Sequence, residues 1–176
     1  MKKTNKIIEE LLSQHEKEIG KDFEKYKNHV YRVFSICTKM DEVKHNEEKY
    51  AIAAVFHDIG IWTANTFDYL EPSIILAHNY LDTIGKSDWK DEIELIIDMH
   101  HKKSKYSGKH EKTVETFRRA DWIDVTKGRK LFGFSKSEFN RIIKQYPILG
   151  FHKFLIMQTI KNLFKFPLNP LPMFKK

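Results

Sequence analysis

Five histidines and two aspartates recur at near-even intervals along this chain: His29, the pair His57–Asp58, His78, the pair His100–His101, and Asp121. The steps between them are 28, 21, 22 and 21 residues, each about the length of one helix plus a turn. A chain with that rhythm can deliver one side chain per helix to a common centre, which is how a metal site is built inside a helical bundle. The spacing therefore favours a fold in which several helices converge.

The intervening residues read as those helices. Residues 4–19 place Ile7, Ile8, Leu11, Leu12 and Ile19 at helical spacing and stop at Gly20, a suitable C-terminal cap. Asp22 can cap a second helix, with Phe23, Tyr26, Val30, Val33, Phe34 and Cys37 as its apolar positions. A third is expected over about 46–60; its run AIAAVF (51–56) is apolar all round and predicts the central, buried helix. Pro72 suits the first turn of a fourth, reaching about Ile84, and Ser87 precedes a fifth that runs to about His101. A sixth spans about Lys112 to Val125. Ser135 and Glu138 form an S-x-x-E capping box for a seventh, and Pro147 separates it from an eighth ending near Lys165. The tail FPLNPLPMFKK is expected to be extended. No strand-like alternation, repeat or linker interrupts the series, so the fold class is all-α, a single-domain bundle over 1–176 with the metal site in its core.

Composition narrows the setting. A hydrophobic fraction of 41% argues against disorder, and the single cysteine, Cys37, excludes a disulfide scaffold or a thiolate-rich zinc site. Cys37 falls on an apolar helix face and reads as inert. No apolar stretch approaches the ~18 residues of a membrane span, and the N-terminus lacks a secretory apolar region. A cytoplasmic protein with no membrane partner is expected. The net charge of +7 is lysine spread along the chain among 24 acids, which argues against a nucleic-acid surface and is compatible with an anionic small-molecule substrate. Oligomerisation stays open, and the aromatic-rich segment 131–166 reads as core packing or a dimer face.

The seven marked residues sit where a core should be. His29 lies a turn from Tyr26 and Val33; His78 continues the face of Ile74, Ile75 and Leu81; His100 completes Ile93, Ile96 and Ile97; Asp121 follows Val114 and Phe117 and precedes Val125. Burying several such groups without partners costs several kcal/mol each, and a bound cation removes that cost. Imidazole and carboxylate without thiolate suit Fe, Mn, Zn, Co or Ni. So many ligands point to two ions bridged by a carboxylate. His15, His45, His110 and His152 fall outside the spacing and read as surface or structural, with the helix of His152 able to pack near the site.

The motif H…HD…D, carried by His29, His57–Asp58 and Asp121, and the stretch AVFHDIG (54–60) resemble the HD-domain superfamily of metal-dependent phosphohydrolases. The resemblance covers about 23–130. With His78 and His100–His101 added, it extends to the two-metal variant, and FRRADWIDV (117–125), GFH (150–152) and PLPM (170–173) are similar to an uncharacterised branch. It implies that His29, His57, Asp58 and Asp121 hold one divalent transition-metal ion, Fe or Mn favoured. Asp58 then bridges to a second ion held by His78 and His100, with His101 as ligand or support. Asp58 and His101 would act at the reacting centre, with Arg118 or Arg119 stabilising phosphoryl charge. Lys102, Lys103 and Lys105 would receive a phosphate ester or nucleotide. Ile61-Trp62 after the HDIG motif and KKSKYSG (102–108) after the histidine pair depart from the branch that cleaves cyclic dinucleotides. Trp62, Phe67 and Tyr69 either line a pocket for a flat group or pack their loop. The resemblance leaves a rival activity with the same ligand set, a mixed-valent di-iron oxygenase, and a third reading, a non-catalytic ligand-binding scaffold, against which the intact ligand set argues.

Overall fold

The computed structural model describes residues 4–169 and 171–174, and regular structure among them is entirely helical. The first helices are α1 (Lys6–Gln14), α2 (Glu16–Ile19), α3 (Phe23–Met40), α4 (Lys44–Phe56) and α5 (Gly60–Thr63). They are followed by α6 (Leu70–Thr83), α7 (Lys90–Met99), α8 (Glu111–Val125), α9 (Lys136–Gln145) and α10 (Phe151–Lys165).

Asn5 opens α1 by accepting from the N–H groups of Ile7 and Ile8 at 3.0 and 3.2 Å. The helix expected over 4–19 breaks at His15, where ψ is 12°. The bend lets α1 lie on α4 while α2 packs on α5, and Gly20, at φ +56°, ends it as expected. The central helix is α4: Ala51 through Phe56 are buried, and the helix touches α1, α3, α6, α7 and α8. It stops at Phe56, short of the expected residue 60. His57 and Asp58 stand in a tight turn closed by i→i−3 bonds, Ile59 N–H to Phe56 O and Ile61 N–H to Asp58 O.

Pro72 sits in the first turn of α6, and a 3₁₀ turn at Ser87–Trp89 leads into α7. Only half of the capping box forms. Ser135 Oγ accepts from Glu138 N–H at 3.4 Å, but the Glu138 carboxylate goes to Lys39 and Arg141. The tail is not wholly extended: Pro172–Phe174 forms a 3₁₀ turn because Met173 buries its side chain, while Pro170, Lys175 and Lys176 lie outside the described residues. Among the described residues no helix is long and apolar enough to cross a membrane.

Gly60 closes the turn against α6. Its N–H donates to Ser73 Oγ at 3.0 Å, and a Cβ there would stand 2.5 Å from Tyr69 O. Backbone cannot swing aside as a side chain can, so Gly60→Ala must push the start of α6 outward. Thermal unfolding should show a loss of about 1–3 kcal/mol; an unchanged melting temperature would refute the close packing.

Candidate metal centre

Two helices, a turn and a helix end bring five of the predicted residues to one buried point. α3 supplies His29, the turn after α4 supplies His57 and Asp58, the end of α7 supplies His100, and α8 supplies Asp121; none is more than 3% exposed. His29 Nε2 and His57 Nε2 face each other at 3.0 Å. Asp58 Oδ2 lies 3.6 Å from the former and 3.4 Å from the latter, and Asp58 Oδ1 is 3.5 Å from His100 Nε2. Asp121 Oδ1 stands 3.6 Å from His29 Nε2 and 3.9 Å from His57 Nε2.

Each of these histidines is aimed by its other ring nitrogen. His57 Nδ1 is 2.8 Å from Ala54 O, and His100 Nδ1 is 2.6 Å from Ile97 O. Both acceptors are carbonyls in the last turn of a helix, where the helical ladder runs out of donors. Because a carbonyl can only accept, it places the ring proton on Nδ1 and leaves the Nε2 lone pair directed at the centre. His29 Nδ1 instead meets Asp124 Oδ2 at 2.7 Å. Asp124 is in turn gripped by Arg32, whose Nε donates to Oδ1 at 2.6 Å and whose Nη2 donates to Oδ2 at 2.9 Å. Arg32 Nη1 donates onward to the carbonyls of Tyr146 and Pro147.

Arg32 and Asp124 play no part in the sequence reading, yet a signal existed. Each lies three residues after a marked position on the same helix, His29 and Asp121, and so shares its face. The GFH segment also reaches the site: Phe151 stacks on the His29 ring with centroids 4.1 Å apart, and His152 Nε2 lies 2.9 Å from Asp124 O.

The arrangement is electrostatically unfinished. Asp58 Oδ1 and His100 Nε2 are buried without a hydrogen-bond partner. Burial opposes charge on His29, but Asp124 and Asp58 outweigh it and raise the imidazole to about 9. At His57 burial dominates, with His100 and His29 as like charges, and lowers it to about 3. Burial, with Asp58 and Asp124 nearby, raises the Asp121 carboxyl to about 7. For Asp58 the burial penalty is overcome by the surrounding histidines, and its carboxyl lies well below the usual range. Two overlapping groups, His29–His57–Asp58 and Asp58–His100–His101, have their ligand atoms within 4.8 Å of one another. An imidazole and carboxylate donor set with orphaned, inward-facing atoms fits a divalent transition metal.

The HD-domain family model matches residues 26–126, a span that contains all of these ligand positions. The chain belongs to the HD-domain family. No curated protein and no solved structure matches it.

His78 does not join the cluster; it is half-buried with Nε2 3.2 Å from Glu94 Oε2. The inner face of α6 is Leu70, Ser73, Ala77 and Leu81, which leaves His78 about 100° round the helix from the core. His101 adjoins His100, with ring centroids 3.7 Å apart. Burial and the Asp58 charge raise the Tyr69 phenol well above its ordinary range, so it keeps its proton, and its hydroxyl shares a hydrogen bond with His101 Nε2.

Arg118 and Arg119 bind Glu115, not the centre. Arg118 donates to both Glu115 oxygens at 2.7 Å and to Lys102 O at 2.9 Å, and Arg119 Nε reaches Glu115 at 2.7 Å. Glu115 also accepts from Tyr106 N–H, so these arginines fasten the loop after His101. Arg118→Ala should cost about 2 kcal/mol, since Arg119 still pairs Glu115. Amide exchange at Tyr106 should accelerate; an unaltered rate there would refute the fastening role.

Lys105 pairs with Glu111 at 2.8 Å on that loop, beside Lys102 and Lys103. Trp62 packs: it stacks on Phe154 and donates to Asp22 Oδ2 at 3.2 Å. Phe67 lies near Tyr69, with centroids 6.0 Å apart. His15 and His45 set their rings against Phe56 and Trp89, and His110 lies near Asp91 and Glu92. Cys37 is buried, and burial pushes its thiol up.

Proposed function

We propose that this HD domain is a metal-dependent phosphohydrolase acting on a small phosphorylated metabolite or nucleotide. One observation carries the reading: three imidazole Nε2 atoms, each aimed by a hydrogen bond at Nδ1, converge with Asp58 and Asp121 in a buried centre. His29, His57, Asp58 and Asp121 are the ligands for one ion. Asp58, His100 and His101 are the ligands for a second. When bound, such ions polarise a phosphoryl oxygen and lower the pKa of coordinated water.

The chain's own residues then have distinct tasks. Asp124 and Arg32 hold His29, the two helix-end carbonyls hold His57 and His100, and Tyr69 holds His101. His101 is half-buried and gives the cluster an edge toward solvent, where Lys102, Lys103 and Lys105 follow on one loop. Those lysines favour an anionic substrate arriving from that side. Arg118 and Arg119 shape this loop and do not touch substrate.

The test begins with metal content of the protein as purified and after reconstitution, followed by phosphate release from a panel of phosphomonoesters and nucleotides in manganese. Bound metal with phosphate release supports the proposal. Tightly held iron with oxygen consumption and no phosphate release replaces it with an oxygenase. Failure to take up any metal leaves a helical binding module.

A further inference from the structure

Cations are spread along this chain, but acids are not. All 24 acidic residues lie at or before Glu138, while residues 139–176 hold Arg141, Lys144 and five further lysines and no acid. That segment therefore carries the whole net charge of +7. It also contains α10, of which only Phe151 and His152 are buried.

The outward side of α10 is apolar. At about 100° per residue, Ile156, Met157, Ile160, Leu163 and Phe164 fall on one arc opposite Phe151. They are between 40% and 84% exposed, and Leu168 just beyond is 93% exposed. Scattered surface apolar residues are ordinary, but a continuous stripe is not. Cations border it on both edges. On one side a groove beside Met157 is lined by Lys21, Lys25 and Lys161, with Lys153 at the N-terminal end of the stripe, and its acid, Asp22, is paired to Lys25 at 2.7 Å. On the other, Lys127, Arg129 and Lys130 line a groove with Ile156.

We infer that α10 docks this protein on an anionic lipid bilayer, with the apolar stripe in the headgroup–acyl boundary and the bordering cations against lipid phosphates. A helix lying in the interface needs an apolar face flanked by lysine or arginine, whatever its length. The absence of a membrane span bears only on crossing a bilayer, so it does not remove this partner. A symmetric second copy is the poorer occupant, because it sets two acid-free, cationic segments against each other. A nucleic-acid backbone would meet the cations but leave Phe164 and Leu168 in water.

The test is flotation of the full chain with vesicles of phosphatidylcholine alone and with about one-third phosphatidylglycerol. Binding is expected with the anionic vesicles only, and should be lost when salt shortens the Debye length to about 3 Å. Phe164→Glu and Ile160→Glu, both on the outward face, should keep wild-type helicity and bind about tenfold or more weakly. Lys161→Ala should bind about fivefold more weakly. No flotation, equal flotation with neutral vesicles, or full binding by Phe164→Glu overturns the proposal. So does a dimer or a nucleic-acid complex that Phe164→Glu abolishes in a protein that ignores vesicles.

Discussion

Asp58→Ala is expected to purify without metal and to lose phosphoester turnover by on the order of a thousandfold. Asp58 belongs to both ligand groups, with one carboxylate oxygen toward His29 and His57 and the other toward His100. Its removal takes the shared anion from either ion, and Asp121 alone remains opposite the three imidazoles. A catalytic ion supplies several kcal/mol of charge stabilisation, and each 1.36 kcal/mol is about a decade in rate. Asp58→Asn, which keeps the shape, separates loss of the site from loss of the fold: its circular dichroism should match wild type while its metal content falls. Metal uptake by the wild type should also strengthen with pH. His29 is raised to about 9, so a cation arriving at neutral pH must displace its proton. For that proton alone, affinity rises about tenfold per pH unit up to about 9. Calorimetry in buffers of different ionisation heat measures the released proton; retention of metal by both variants, or uptake indifferent to pH, would sink the assignment.

Much of this arrangement is legible in the sequence, and the parts that are not have identifiable causes. The run AIAAVF declares a helix buried on all sides, and α4 is that helix. The step of about one helix between the marked residues has a spatial counterpart: α3, the turn after α4, the end of α7 and α8 meet at one buried point, and α6 does not bring His78 to it. His78 escapes the rule because small residues, Ser73 and Ala77, define the inner face of α6, whereas Ile75, which suggested the apolar face, is 52% exposed. Periodicity weighs hydrophobicity and gives little weight to a serine or alanine that lets helices approach closely. Arg118 escapes because one arginine looks like another until Glu115, three residues earlier on its own helix, takes the guanidinium. Arg32 and Asp124 are harder still. They are separated by 92 positions, and only the crossing of α3 with α8 makes them a pair.

That pair yields the largest expected effect on stability. Asp124→Ala leaves the Arg32 guanidinium, which is fully buried, without its carboxylate, and removes the anchor of His29 Nδ1. Breaking one side of a buried ion pair costs about 3–5 kcal/mol, which for a chain of this size lowers the melting temperature by roughly 10 °C. Metal affinity should fall about 10- to 100-fold even though Asp124 is not itself proposed as a ligand. Asp124→Asn keeps an acceptor for Arg32 and should recover part of the stability. The pH dependence distinguishes this account from simple loss of packing. Burial raises the Asp124 carboxyl, but Arg32 and His29 outweigh it and hold it far below the ordinary range. Its contribution is therefore complete above the unfolded value of about 3.9 and is lost as pH falls through the folded value. His29 runs the opposite way: its folded value of about 9 means that its contribution is complete below about 6.5 and is lost as pH rises through 9. In the metal-free protein the stability gap between wild type and Asp124→Ala should thus be widest between pH of about 4 and 6.5. It should narrow toward pH 9 to the part owed to Arg32, whose charge does not titrate there. Denaturant unfolding across that range measures the gap, and a gap that stays constant with pH would mean that Asp124 holds the fold by shape and not by charge.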